Sequence, residues 1–394
     1  MASASRPVDR FFRQPSTPPS PPLRLVCPTK NSPRSEWDDF YRAITLLPQV
    51  GIPPSGRLRL FDPEEIFEFW TFLAESAGEG VERVRETFRR LLEQEIPENP
   101  ADLFTVPLVP APEFSAVADL ALEFPHFARA GVIECLEESV ILSRAGDGML
   151  SFPPLLLLGD PGVGKTRFFQ RLTKAFNVPS QAKIDCAVAT AGWILSGISS
   201  TWANAKPGEI FTLLTTYRHG LGNPLIFLDE LDKARENRES SPLHTLYTLL
   251  EPEGARQFRD EFCPIRIDAS RLLWVAAGND LSGIPAPILS RFRVFTVPSP
   301  TPGEKRQIAA RIWEDLRTSP WGSHFDPTLP GEVVEPLLDL APREIRARLL
   351  SGAARALKRQ GIPKPNDEEG LRLSVDDVRQ EAGPPSRKGM GFRA

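Results

Sequence analysis

Eight residues, Gly159-Asp160-Pro161-Gly162-Val163-Gly164-Lys165-Thr166, combine the groups that hold a polyphosphate. Glycines let successive backbone N–H groups turn inward around phosphate oxygens. The lysine ammonium reaches the β- and γ-phosphates, and the threonine hydroxyl ligates Mg²⁺. Downstream, Asp229 and Glu230 follow the apolar run Leu225-Ile226-Phe227-Leu228. A carboxylate at the carboxyl end of a buried strand suits the Mg²⁺ water shell, and a second beside it suits a base that deprotonates an attacking water. Asn279 ends another apolar run and offers a neutral amide to a γ-phosphate or to that water. Arg291 lies in Pro287-Ile288-Leu289-Ser290-Arg291-Phe292-Arg293. A doubly wound fold puts an arginine there out of reach of its own phosphate loop, so it suits charge stabilisation at a neighbouring subunit's site.

These groups need a scaffold, and the pattern supplies one. Pro154–Leu158 reads as a buried strand before the glycine loop, and Arg167–Phe176 carries apolar residues at helical spacing after it. Further strands are predicted over 182–185, 224–230, 271–277 and 293–297. Strand alternating with helix means a parallel five-stranded α/β sheet flanked by helices. Beyond Pro298 only helical patterns remain, over 302–316 and 342–358, so a small all-helical lid follows. Upstream, Ser35 caps a predicted helix carrying Trp37, Phe40, Tyr41, Ile44 and Leu47. Asp62-Pro63-Glu64-Glu65 opens a second helix, and a third runs over 80–95. Their aromatics fit a helical core, with a docking module as the alternative reading. Pro97–Pro112 reads as a linker. The expected organisation is a disordered Pro-rich tail over 1–35, a helical N-terminal region and linker over 36–115, the nucleotide domain over 116–298, and the lid with a disordered tail over 299–394.

Composition narrows the class. The 394 residues are 41% hydrophobic and 25% charged with a formal net charge of −4, which suits a soluble globular chain and disfavours a generic nucleic-acid coat. Cys27, Cys135, Cys186 and Cys263 are too widely spaced for a zinc site, and they fit reduced thiols in the cytoplasm. No apolar run approaches the ~18 residues that span a bilayer, so no membrane is expected. Prolines in Gln14–Pro22 break the amphipathic helix an organelle transit peptide needs.

Taken in order, these motifs resemble the AAA+ ring ATPases, and within them the ATPase module of the Lon proteases, over roughly residues 120–358. Leu249-Leu250-Glu251-Pro252-Glu253 and Phe258-Arg259-Asp260 are similar to the Lon segment after the second motif. The resemblance implies ATP and Mg²⁺ as cofactors, with Gly159, Asp160, Pro161, Gly162, Val163, Gly164, Lys165 and Thr166 as the Walker A loop. It places Asp229 and Glu230 on Walker B, Asn279 on sensor 1 and Arg291 on the arginine finger. Arg343 falls on sensor 2, although Pro342 intervenes between it and Ala341. Ser200–Gly208 is similar to the Lon pore loop, with Trp202 on its aromatic position; ordinary core is the alternative for Trp202. Trp193, in Gly192-Trp193-Ile194-Leu195, reads as core.

The resemblance further implies a homo-oligomer, a hexamer, acting on a protein substrate or adaptor. Only some 40 residues follow the lid, with no Gly-Pro-Ser segment, so the expectation is remodelling without proteolysis. The alternatives are a DNA-remodelling ATPase of clamp-loader or branch-migration type, and a nucleotide-gated assembly factor.

Overall fold

The computed structural model describes residues 53–92, 102, 104–188, 191–215, 220–234, 241–361 and 370–379. The helix predicted over Trp37–Leu47, the Pro-rich segment 1–35 and the tail from Gly383 lie outside the described residues. The chain opens with β1 (Arg57–Arg59), α1 (Pro63–Glu75), α2 (Glu79–Leu92) and β2 (Thr105–Pro107). It continues through α3 (Phe114–Glu123), α4 (Pro125–Arg129) and α5 (Val132–Ala145). The start of α1 follows its sequence signal: the Asp62 side chain accepts from the Glu64 N–H at 2.9 Å, and Pro63 occupies the first turn.

Five parallel strands form the centre: β3 (Leu155–Leu158), β4 (Gln181–Asp185), β5 (Leu225–Asp229), β8 (Leu273–Gly278) and β9 (Arg293–Thr296). Between β5 and β8 lies a short antiparallel pair, β6 (Phe258–Arg259) and β7 (Arg266–Ile267). The central order is β4-β5-β8-β3-β9, with Leu158 opposite Gly278 and Leu228 opposite Ala276. Strands β3 and β8 are buried throughout, whereas edge strand β4 alternates buried and exposed residues. Continuous apolar runs therefore mark the strands covered on both faces, and alternation marks an edge.

One face of the sheet, through Leu156, Leu158, Ile226, Leu228, Trp274 and Ala276, packs against a core that includes Trp70 and Phe88 of α1 and α2. The other, through Leu155, Leu157, Phe227 and Val275, packs against α3, α5 and α6 (Lys165–Ala175). Trp70 and Phe88 are thus core, and the core they join is that of the sheet itself. The described part of the segment read as a linker, from Phe104 on, is also built in. Thr105–Pro107 pairs with β1, and Asn223 accepts from the Val109 N–H at 2.7 Å while donating to the carbonyls of Val109 and Leu150. The buried amide that fixes it is 114 residues away in sequence, so local composition could not show it.

Four smaller helices cover the sheet before the lid: α7 (Ala191–Ser196), α8 (Glu209–Thr215), α9 (Pro242–Leu249) and α10 (Pro252–Arg256). Helix α11 (Ala286–Leu289) precedes β9. The lid contains α12 (Pro302–Arg317), α13 (Gly331–Val334), α14 (Pro342–Gln360) and α15 (Val375–Val378) around a core of its own with Trp313, Phe325, Leu337 and Leu349. A capping box starts α12: Thr301 Oγ1 accepts from the Glu304 N–H, and Glu304 accepts from the Thr301 N–H. No helix among the described residues is long and apolar enough to cross a membrane.

Candidate nucleotide site

Parallel strands deliver their carboxyl ends to one edge of a sheet, and the strand order decides which ends are neighbours. Strand β8 lies between β3 and β5. Asn279 therefore emerges between the glycine loop that follows β3 and the Asp229-Glu230 pair that ends β5. A cavity of about 510 Å³ opens there, lined by Gly162–Arg167, Asp229, Glu230, Asn279 and Arg343 among others.

Gly162 and Gly164 take φ values of 86° and 111°, which a side chain disfavours, and Gly164 starts α6. Among the described residues nothing lies within 4 Å of where a Gly164 Cβ would stand, so the loop borders open space at a helix start. Lys165 folds across this loop, donating to the carbonyls of Gly159 and Asp160 and, at 3.2 Å, to Asn279 Oδ1. Burial lowers its pKa, while the carboxylates of Asp229, Asp232, Asp160 and Glu230 push the other way. Its ammonium is ready to exchange backbone carbonyls for phosphate oxygens.

Glu230 is one of three described non-glycine residues with positive φ, at φ 52° and ψ 44°. Such a left-handed residue directly after a core strand is the kind of strain that clusters at reactive sites. Asp229 pairs with Lys183 of β4 at 2.7 Å. Three residues on, the Asp232 side chain is 1% exposed; its Oδ2 pairs with the Lys233 ammonium at 3.0 Å, and its Oδ1 has no hydrogen-bond partner among the described residues. Thr166, Asp229 and this under-partnered carboxylate fit Mg²⁺, which keeps several waters and needs only one or two protein oxygens.

Arg343 enters from the lid. Its Cβ and that of Ala341 stand 4.0 and 3.5 Å from where a Gly162 Cβ would be, so α14 begins against the glycine loop despite Pro342. Arg346, one turn on, and Arg311 of α12 line the same cavity. Arg291 does not line it. Its guanidinium bonds to Glu251 and the Pro287 carbonyl and lies 5.9 Å from the Tyr247 ring centroid.

Sequence reasoning missed Lys183, Asp232, Arg346 and His126. The spacing of Arg343 and Arg346 was a usable signal, since residues three apart share a helix face. His126 had none. Its Nε2–H donates to the Val163 carbonyl at 3.0 Å and Nδ1 has no hydrogen-bond partner among the described residues; burial lowers its pKa, so a neutral imidazole props the loop.

Ion pairs join the lid to this site. Arg167 of α6 reaches Asp315 of α12 at 2.5 Å and Glu123 at 3.2 Å, and Arg129 of α4 reaches Glu304 at 2.9 Å. Burial pushes the Glu304 carboxyl up, but Arg129 and the Thr301 donors outweigh it and hold the pKa at about 2, against an ordinary 4.5. With a depressed folded pKa, its stabilisation is complete above the ordinary value and is lost as pH falls toward the folded one. Glu304→Gln is expected to melt at a lower temperature near neutrality and to converge on wild type near pH 2, as followed by thermal melts across that range.

Trp202 sits on a separate exposed loop. Ile198 and Lys206 pair across its base at 2.9 Å, and Trp202 at its tip is 65% exposed, so it is not core. Asp260 holds the base from beneath, accepting from the N–H groups of Gly208, Phe262 and Cys263. Burial drives its pKa up to about 7 against those three donors. Trp193, expected in the core, is 44% exposed. In the short α7 it points away from Leu195, which is buried, because residues two apart lie on opposite sides of a helix.

Residues 155–299 match the profile of the ATPase family associated with various cellular activities, abbreviated AAA. The matched segment spans β3 to β9, so it contains the glycine loop, Asp229, Glu230, Asn279 and Arg291. Over 227 residues the chain is 30% identical to the peroxisomal Lon protease homolog 2 of Oryza sativa subsp. indica, covering 57% of this chain and 25% of the relative. It is 33% identical over 196 residues to the Lon protease of Xanthomonas oryzae pv. oryzae, covering 50% of this chain and 22% of that one. The chain therefore spans about a quarter of the length of these relatives. S. cerevisiae Hsp104, in the extended conformation of its casein complex, shares the fold with a TM-score of 0.53 at 14% identity, covering 85% of this chain and 66% of that chain.

Proposed function

We propose that this chain binds ATP with Mg²⁺, hydrolyses it at the junction of two subunits of a homo-hexamer, and uses the energy to remodel or unfold polypeptides without cutting them. The observation that carries the chemistry is the strand order: it gathers Lys165, Asn279, Asp229 and Glu230 around one cavity and leaves Arg291 outside it. Lys165 and the loop N–H groups bind the phosphates. Thr166 and Asp229 would hold Mg²⁺, which when bound neutralises charge on the phosphoryl oxygens. Glu230 takes the proton of the attacking water, and Asn279 orients that water or the γ-phosphate. Arg343 reaches the phosphates from the lid, so nucleotide state is transmitted to lid position. Arg291 of one subunit supplies a cation to its neighbour's site.

The polypeptide reading rests on the exposure of Trp202 at the tip of a loop closed at its base, a side chain that grips extended chains by sequence-independent apolar contact. The likeness to Lon proteases and to Hsp104, whose compared structure holds casein, supports it. Cys135, Cys186 and Cys263 are free and buried, which suits the cytoplasm. The test is ATP-dependent unfolding of a stably folded protein bearing an unstructured tag. Trp202→Ala is expected to lose at least tenfold in unfolding rate, and Trp202→Phe to keep most of it. Equal rates for all three proteins would remove Trp202 from substrate handling, and fragments of the tagged protein would contradict remodelling without cleavage.

A further inference from the structure

The loop bearing Trp202 touches more than its own base. The N-terminal end of α2 lies against it, although the two are separated by nearly 120 residues of sequence. Arg83 Nη2 donates to the Ser200 carbonyl at 3.2 Å and to the Trp202 carbonyl at 3.0 Å. A Cβ on Gly80 would stand 2.4 Å from the Ser200 carbonyl oxygen, so the helix approaches the loop as closely as a glycine permits. Gly80 and Arg83 are three residues apart and share one helix face, so the contact is a single surface of α2.

The helix that provides this surface is itself anchored. Val84 and Phe88 are buried, and Phe88 stacks on Trp70 of α1 with ring centroids 6.1 Å apart. Both belong to the core that also holds Leu195 and Ile210, the residues flanking the Trp202 loop on either side. Guanidinium hydrogen bonds to backbone carbonyls are charge-assisted, and these two hold the tip while Asp260 holds the base. The bonds go to the loop's backbone, so the indole of Trp202 stays exposed.

We propose that Arg83 is a positioning residue for the Trp202 loop: with Gly80 it clamps the loop tip to α2 and presents the indole in a fixed place. The N-terminal helices thereby become part of the substrate-handling apparatus. The functional half of this inference rests on the proposed role of Trp202 in gripping polypeptide; the clamp itself does not.

Two readouts on the full chain separate the two. The first is amide hydrogen exchange over 199–205 in wild type, Arg83→Ala, Arg83→Lys and Gly80→Ala. Arg83→Ala is expected to speed exchange by about tenfold or more, with Arg83→Lys between it and wild type. Gly80→Ala favours the helix yet forces a methyl group onto the Ser200 carbonyl, so it tests the contact without weakening α2. It is expected to speed exchange as well. Unchanged exchange in both Arg83→Ala and Gly80→Ala overturns the clamp. The second readout is the concentration of reduced, carboxymethylated lactalbumin that half-maximally stimulates ATP turnover. Arg83→Ala is expected to raise it several-fold, and Arg83→Lys to restore it in part. Altered exchange with an unchanged half-maximal concentration overturns the positioning role. Altered exchange with no stimulation even in wild type overturns the polypeptide reading and leaves the clamp standing.

Discussion

Glu230→Gln is expected to lower ATP turnover by about 10²- to 10⁴-fold while nucleotide binding survives. The substitution keeps size and one acceptor oxygen but replaces the basic carboxylate with an amide that takes up no proton at neutral pH. Glu230 stands at the end of β5 in a left-handed conformation, beside the cavity that Lys165, Thr166 and Asn279 also line. Phosphate binding draws on the glycine loop and Lys165, which the change leaves in place. Phosphate release measures the first effect, and equilibrium binding of a fluorescent ATP analogue measures the second. Turnover within tenfold of wild type would remove Glu230 from the role of base, and loss of binding would show that it serves the pocket's structure.

The second large effect concerns a residue outside the cavity. Arg291→Ala is expected to lower turnover by about 10³-fold or more, the scale on which an arginine supplied to a phosphoryl-transfer site acts. Glu251, the Pro287 carbonyl and the Tyr247 ring hold the guanidinium in place, so it needs little reorganisation to meet a neighbouring subunit. Lys165→Ala is expected to be inactive for the opposite reason, since it retains Arg291 but loses the ammonium proposed to hold phosphate. In an equal mixture of the two proteins, about a quarter of the interfaces in the proposed ring would join an intact glycine loop to an intact Arg291. Turnover should return to roughly that fraction of the wild-type value. No recovery in any mixture would contradict a site shared between subunits.

Much of this site was legible because its determinants are local. Leu155–Leu158 and Leu225–Leu228 are uninterrupted apolar runs, as strands covered on both faces must be, and the reactive residues follow them directly. The predicted strands fall where strands occur, and the predicted lid helices match α12 and α14. What was not legible depends on partners far away in sequence. Lys183 gains its place from the register of β4 against β5, and His126 from a carbonyl in the glycine loop. The segment before Pro112 has linker composition and is fixed by Asn223, a residue with no local mark of that role. The contact of Gly80 and Arg83 with the Trp202 loop belongs to the same class. Each is a tertiary contact between ordinary residue types, so neither spacing nor composition signals it.

Energy from this site is proposed to be spent on polypeptide, and the response of ATP turnover to candidate substrates tests that proposal. ATP turnover of the full chain is followed with a permanently unfolded polypeptide, with duplex or branched DNA, and with neither, in wild type and in Trp202→Ala. Unfolded polypeptide is expected to stimulate the wild type severalfold, DNA is expected to have no such effect, and Trp202→Ala is expected to lose the stimulation. Stimulation by DNA with none by polypeptide would contradict the proposal.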